Sequence, residues 1–191
     1  ENSTYTQGHR GVAGTIFMHK ILGATAQQGA SLDEIDELSH KVLPNIKTIA
    51  VALSAATNPE VGKPGFVLKE DEIEYGVSIH SEPGYRREKI KPSKALVEEL
   101  VGKLNDEMKL DGNKKYAFLV NGTGATPLME QYVFANDVLN KLEEFNIKPS
   151  FMKVSNYMTS IDMAGISLTL FEIKDDKWLD YLNYPVETIG W

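Results

Sequence analysis

The chain reads as an α+β protein, a two-layer sandwich of a mixed β-sheet and packed helices, on three observations. Apolar residues recur at helical spacing in several long segments. Short apolar runs at 48–53 and 116–120 separate those segments and have the length of buried strands. Clusters of glycine, proline and asparagine punctuate the joints, so strands and helices interleave in one sheet-and-helix unit.

The first helix carries Val12, Ile16, Phe17, Ile21 and Leu22, and Gly29 ends its pattern. Ser31-Leu32-Asp33-Glu34 has the form of a capping box, in which Ser31 and Glu34 satisfy free backbone donors. The helix it opens runs through Ile35, Leu38, Val42 and Leu43 until Pro44 closes it. After the strand at 48–53, Asn58-Pro59, Gly62 and Pro64-Gly65 mark a loop with a short strand near Phe66-Val67-Leu68.

A strand at 75–80 follows, then a helix through Leu96, Leu100, Val101, Leu104 and Met108, ended by Asp111-Gly112. The run at 116–120 leads through Asn121-Gly122-Thr123-Gly124-Ala125 into a helix from about Thr126 to Phe145, with Thr126 as N-cap and Pro127 in its first turn. Two further strands are expected near 149–155 and 167–173, then a short amphipathic segment with Trp178, Leu179 and Leu182. No repeat, low-complexity tract or linker divides the chain.

Composition excludes several classes. The 191 residues suit one domain, or one domain plus a remnant of another, and 42% hydrophobic with 25% charged residues is ordinary for a globular core. A net charge of −7 argues against a nucleic-acid surface, which needs clustered Lys and Arg. Without cysteine there is no disulfide framework, thiolate metal site or cysteine nucleophile. No apolar stretch approaches the roughly 18 residues of a membrane span. No signal peptide opens the chain, and its start at Glu1 without methionine reads as that of a fragment or a cleaved product.

The tract from Tyr75 to Gly84 is the most informative. It reads as a strand that delivers His80 to its C-terminal end, with Val77 and Ile79 on one face and Ser78 and His80 on the other. Pro83 cannot continue a ladder and Gly84 permits a positive φ, so the backbone turns just past His80. An imidazole there has four roles open to it: nucleophile, general base, metal ligand or structural histidine. His9, His19 and His40 show no ligand spacing, which disfavours a metal site. Glu82 is either an orienting carboxylate or a solvated turn residue.

Other segments have plainer readings. The Asn121–Pro127 turn lacks the lysine of a P-loop and the third glycine of a dinucleotide fingerprint, so a tight strand-to-helix turn is favoured over anion binding. The small residues from Gly8 to Thr15 suit close helix packing, with Arg10 available to a carboxylate or a ligand. In the stretch from Tyr157 to Gly165, Ser160 and Asp162 read either as near a site or as a local Asx or Ser/Thr turn.

The joint order of these segments is more specific than any one of them. Gly11-Val12-Ala13-Gly14-Thr15, Gly62-Lys63-Pro64, Ile79-His80-Ser81-Glu82-Pro83-Gly84, Gly124-Ala125-Thr126-Pro127-Leu128 and Thr159-Ser160-Ile161-Asp162-Met163 closely resemble the dihydroxyacetone kinase family. The resemblance is to the second half of the dihydroxyacetone-binding K subunit, from about Tyr5 to Trp191. Residues 1–191 are then the C-terminal half of such a subunit, with 1–45 helical and the N-terminal half absent.

That resemblance implies that His80 binds dihydroxyacetone covalently as a hemiaminal, for phosphoryl transfer from an ADP-bound partner subunit. It also implies a cytoplasmic homodimer with no cofactor or metal of its own, whose acid/base residues belong to the absent half. The chain departs from the family pattern at Ser78 and Ser81, where glycine is usual, at Thr123, where leucine is usual, and at His9. A family paralogue keeps the histidine yet co-activates a transcription factor, and that reading stands beside the kinase subunit.

Overall fold

The computed structural model describes residues 12–77 and 84–191. A 3-10 turn, Val12–Gly14, leads into α1 (Thr15–Gln27), followed by α2 (Leu32–Val42). The capping box is present: Ser31 Oγ accepts from the Glu34 N–H, and Glu34 Oε2 accepts from the Ser31 N–H at 2.7 Å. A second 3-10 turn around Pro44 delivers the chain to β1 (Ile46–Ala52).

Two-residue strands β2 (Thr57–Asn58) and β3 (Lys63–Pro64) pair as a small separate hairpin. The main sheet resumes with β4 (Glu72–Tyr75) and β5 (Arg86–Lys89). Then come α3 (Ser93–Met108), β6 (Lys115–Gly122), α4 (Leu128–Glu143), β7 (Phe151–Ser155), β8 (Gly165–Ile173) and α5 (Asp176–Asn183).

The six-stranded sheet has the order β5-β4-β1-β8-β6-β7. All neighbours are antiparallel except β6 and β7, which run parallel and are joined through α4 as a parallel pair requires. The fold is thus α+β, a mixed sheet packed against helices. Alternation along the strands shows how the packing works. Tyr116, Phe118 and Val120 of β6 join Leu168 and Leu170 of β8 against α3 and α4. Ala117 and Leu119 join Phe171 and Ile173 against α1, α2 and α5, so sheet-on-helix packing is repeated on the second face. Burial on both faces explains why β6 reads as a continuous apolar run from Tyr116 to Val120.

Several elements depart from expectation. The strand expected at 75–80 is shorter and earlier: β4 ends at Tyr75, and Gly76 breaks it with a φ of +76°. Residues 78–80 lie outside the described residues. No strand forms at Phe66-Val67-Leu68, and the loop pairs through β2 and β3 instead. β5 was not expected because Arg86-Arg87-Glu88-Lys89 offers no apolar alternation, which suits a charged edge strand. Pro127, not Thr126, occupies the N-cap of α4. The Thr126 hydroxyl bonds to Gly165 instead.

Candidate functional site

β1 ends, β6 ends and β8 begins at one end of the sheet, where Ala52 pairs with Gly165 and Gly122 with Ile166. The loops leaving these strands are sewn together by backbone bonds. Leu53 N–H and Ser54 N–H both donate to the Ala164 carbonyl, at 2.7 and 3.0 Å. Thr123 N–H donates to Gly165 O, Ala125 N–H to Met163 O, and Ser160 N–H to Thr123 O at 2.7 Å. Two amides of this turn, those of Thr123 and Ala125, are therefore occupied by the neighbouring loop, as in a structural strand-to-helix joint.

Glycine is required here for space. A Cβ on Gly124 would lie 2.4 Å from the Ile161 carbonyl oxygen, and one on Gly165 would lie 2.6 Å from that of Val51. Thr123 is buried, and its hydroxyl donates to Met163 O at 3.0 Å, so the unusual threonine has a local partner. Asp162 reaches a segment distant in sequence. Its Oδ1 accepts the Thr57 N–H at 2.6 Å, tying this loop to β2, and the Thr57 backbone and hydroxyl hold the carboxyl below the usual range.

Asn121 was not singled out from sequence. Its Oδ1 accepts from both Tyr157 N–H and Met158 N–H, and its Nδ2 donates to Met158 O at 2.9 Å. One buried amide thus fixes the start of the 157–163 loop. Of the earlier motif, Gly14 packs under the sheet, where a Cβ would meet Thr48 Oγ1 at 2.7 Å and Ile46 Cγ2 at 2.8 Å.

Beside this end of the sheet lies a small apolar cluster of Ala52, Ala56, Val77 and Met163, flanked by Phe66. Val77 is the last described residue before the segment carrying His80. His80 and Glu82 lie outside the described residues, as do Ser78, Ser81, His9 and Arg10. Both flanks of the 78–83 segment are held firmly. On the entry side Gly76 N–H donates to Ala50 O at 2.8 Å, and a Cβ there would sit 2.6 Å from the Tyr85 ring. On the exit side Tyr85 N–H donates to Tyr75 O, and Gly84 N–H donates to Glu74 Oε1 at 2.8 Å. A Cβ on Gly84 would lie 1.9 Å from the Tyr75 carbonyl oxygen, so that glycine is needed for close approach.

The stem below this segment is charged and tightly paired. Tyr75 OH donates to Glu88 at 2.8 Å and to Glu99 at 3.1 Å, and Arg86 lies over its ring at 4.3 Å. Burial and the two neighbouring carboxylates push the Tyr75 phenol well above its ordinary pKa. Among the described residues no group of three His, Cys, Asp or Glu is placed to hold a metal ion. A cavity of about 900 Å³ opens elsewhere, between α1 and the tail from Tyr184 to Trp191, so it is not part of this strand-end assembly.

The Dak1 domain family matches residues 1–190, and the chain belongs to that family. It is 66% identical over 191 residues to the dihydroxyacetone-binding subunit DhaK of a phosphotransferase-dependent dihydroxyacetone kinase from Lactococcus lactis, covering all of this chain and 58% of that protein. It is 52% identical to the DhaKLM operon coactivator DhaQ of the same organism, over 96% of this chain and 56% of that one. A solved structure of a dihydroxyacetone kinase operon co-activator superposes with a TM-score of 0.89 at 51% identity, over 95% of this chain and 56% of the other. The chain spans little more than half the length of each of these three relatives. Among the described residues no helix is long and apolar enough to cross a membrane.

Proposed function

We propose that this chain is the C-terminal half of the dihydroxyacetone-binding subunit of a phosphotransferase-dependent dihydroxyacetone kinase, with His80 as the residue that captures the triose. A lone pair on a neutral imidazole nitrogen adds to the ketone C2, and the carbonyl π electrons move to oxygen. That oxygen gains a proton and the other ring nitrogen releases one, so the hemiaminal is neutral and its formation is reversible. Glycerol has no electrophilic carbon and forms no such bond. Bond formation therefore discriminates between two molecules whose similar size would defeat a pocket of fitted shape.

The observation that carries this reading is Ile79-His80-Ser81-Glu82-Pro83-Gly84 in a chain 66% identical to a DhaK subunit. The absent half supplies the acid/base groups, and an ADP-bound partner subunit supplies the phosphoryl group, in a cytoplasmic homodimer. A crystal soaked in dihydroxyacetone is expected to show continuous density from an imidazole nitrogen of His80 to C2. Unaltered triose binding by a His80→Ala protein would remove the proposal.

The 52% identity to a coactivator favours a second reading, in which the same capture reports triose to a transcription factor. The kinase reading is preferred because identity to the kinase subunit of that organism is higher, 66% against 52%. Phosphorylation of dihydroxyacetone by the intact gene product with its ADP-binding partner separates the two. Turnover excludes a pure regulator, whereas triose-dependent binding to a transcription factor without turnover excludes the kinase.

A further inference from the structure

Lys20 is a lysine in a place where lysines seldom sit. Only 8% of its surface is exposed, yet it lines the cavity of about 900 Å³ between α1 and the tail from Tyr184 to Trp191. Its Nζ donates to the Tyr184 carbonyl and lies 5.5 Å from the centre of the Trp191 ring. From β7, Lys153 Nζ stands 4.7 Å from that same ring, which is held in place by stacking on Phe151 at 5.7 Å. Two ammonium groups thus share one indole. Among the described residues neither is ion-paired with a carboxylate, although Glu187 lines the cavity and the chain carries a net charge of −7. Burial first, and then Lys153, hold the Lys20 ammonium below the ordinary lysine range. An aromatic face attracts a cation but supplies no counter-charge, so the cavity has cations and lacks an anion.

The rest of the wall is apolar. Ile16, Ala24, Pro185 and Val186 line it, and Gly23 leaves it open: a Cβ there would meet nothing within 4 Å. Cavities of roughly 300–1,000 Å³ enclose a small organic ligand, most often with apolar walls and a few polar groups that fix its orientation. We propose that this cavity binds a small organic carboxylate, with Lys20 holding the carboxylate and the apolar wall enclosing an aliphatic body. An ammonium has three N–H donors, and the Tyr184 carbonyl takes one, so two are free for the carboxylate. The aliphatic wall selects the body, and the unpaired charge selects the head. The site is separate from triose capture and does not depend on the reading of His80.

The test is calorimetric titration of the intact gene product with decanoate, with decanol and acetate as the same chain without the charge and the same charge without the chain. Decanoate is expected to bind at one saturable site, and each of the other two at least about tenfold more weakly. Lys20→Met keeps an unbranched stem and removes the charge, and is expected to weaken decanoate by about tenfold or more. Gly23→Leu fills the open wall, in a helix that accepts leucine better than glycine, and is expected to abolish binding even if the methionine protein fails to fold. Lys89→Met makes the same change of net charge at an exposed position on β5 and is expected to leave binding unchanged. The proposal is overturned by the absence of saturable decanoate binding, by equal binding of decanol, or by full binding in Gly23→Leu. Equal losses in Lys20→Met and Lys89→Met overturn it as an effect of net charge. Displacement of decanoate by dihydroxyacetone overturns it by placing the ligand at the triose site.

Discussion

Thr126 and Gly165 hold each other by two hydrogen bonds through one hydroxyl: Thr126 Oγ1 donates to the Gly165 carbonyl at 2.7 Å and accepts the Gly165 N–H at 2.9 Å. Both residues sit where β8 begins and the turn into α4 closes. The hydroxyl takes the place of a backbone partner and joins two segments distant in sequence.

Thr126→Val keeps the shape and removes both bonds; the Gly165 carbonyl keeps the Thr123 N–H, while the buried Gly165 N–H loses its acceptor. Such a group costs about 1–3 kcal/mol. We expect a loss of about 1–3 kcal/mol in urea unfolding, and less than about 1 kcal/mol for Thr126→Ser, which retains the hydroxyl.

Gly84→Ala is expected to be far more damaging than its size implies. The added methyl would lie 1.9 Å from the Tyr75 carbonyl oxygen, and backbone cannot swing aside as a flexible side chain would. The β4–β5 hairpin must open, breaking the Tyr85 N–H to Tyr75 O bond as well. Amide exchange in 84–89 is expected to rise sharply, while 115–122 in β6 remains protected. Unchanged exchange in both segments would contradict this account.

Tyr75 makes alkaline pH a specific stress. Its folded-state pKa is raised by burial and then by the Glu88 and Glu99 hydrogen bonds, so the folded protein keeps a proton that the unfolded chain releases near pH 10. The stabilisation is fully present below about pH 10 and is lost as pH rises above it. Tyr75→Phe removes the titrating group, so its thermal midpoint is expected to fall less between pH 9 and pH 11 than that of the parent.

His80→Ala is expected to abolish dihydroxyacetone capture while leaving the thermal midpoint unchanged in the absence of triose. Glycerol is expected to give no covalent density in crystals of either protein. Covalent capture of glycerol would refute the carbonyl-addition chemistry.

Residues 1–191 alone are expected to show no phosphorylation of dihydroxyacetone, even with a competent phosphoryl donor. The acid/base groups assigned to the absent half contribute on the order of 10²–10⁴-fold. Turnover by the 191-residue chain at the rate of the intact gene product would place those groups within it.

Much of the architecture was legible because local signals sufficed. Ser31 and Glu34 mark the start of α2 through a reciprocal bond that spans three residues. β6 announces itself through the unbroken apolar run from Tyr116 to Val120. Other features depend on partners distant in sequence. β5 is charged throughout and exists because β4 pairs with it. Thr126 resembles an N-cap until Gly165 claims its hydroxyl. Glu74 lies between Ile73 and Tyr75 and looks like an ordinary exposed strand position, since neither Arg87 nor Gly84 is a local neighbour. Of the site itself, the motif residues in 123–126 and 160–165 were readable as turns. Their convergence with Thr57 and Val77 was not, because no spacing rule encodes it.

The position of β8 sets a condition on the order of assembly. It lies between β1 and β6, yet it follows every other described strand in the chain. Before it arrives, β1 with β4 and β5 forms one strip and β6 with β7 another, and among the described residues no ladder joins them. Ile46 must wait for Phe171, and Lys115 for Ile173. Such non-local closure raises contact order and slows folding, because loop entropy is lost before the contacts that offset it can form. A nascent chain stalled before Gly165 therefore exposes two raw strand edges, those of β1 and β6, and this is the stage at which a holdase chaperone would matter most.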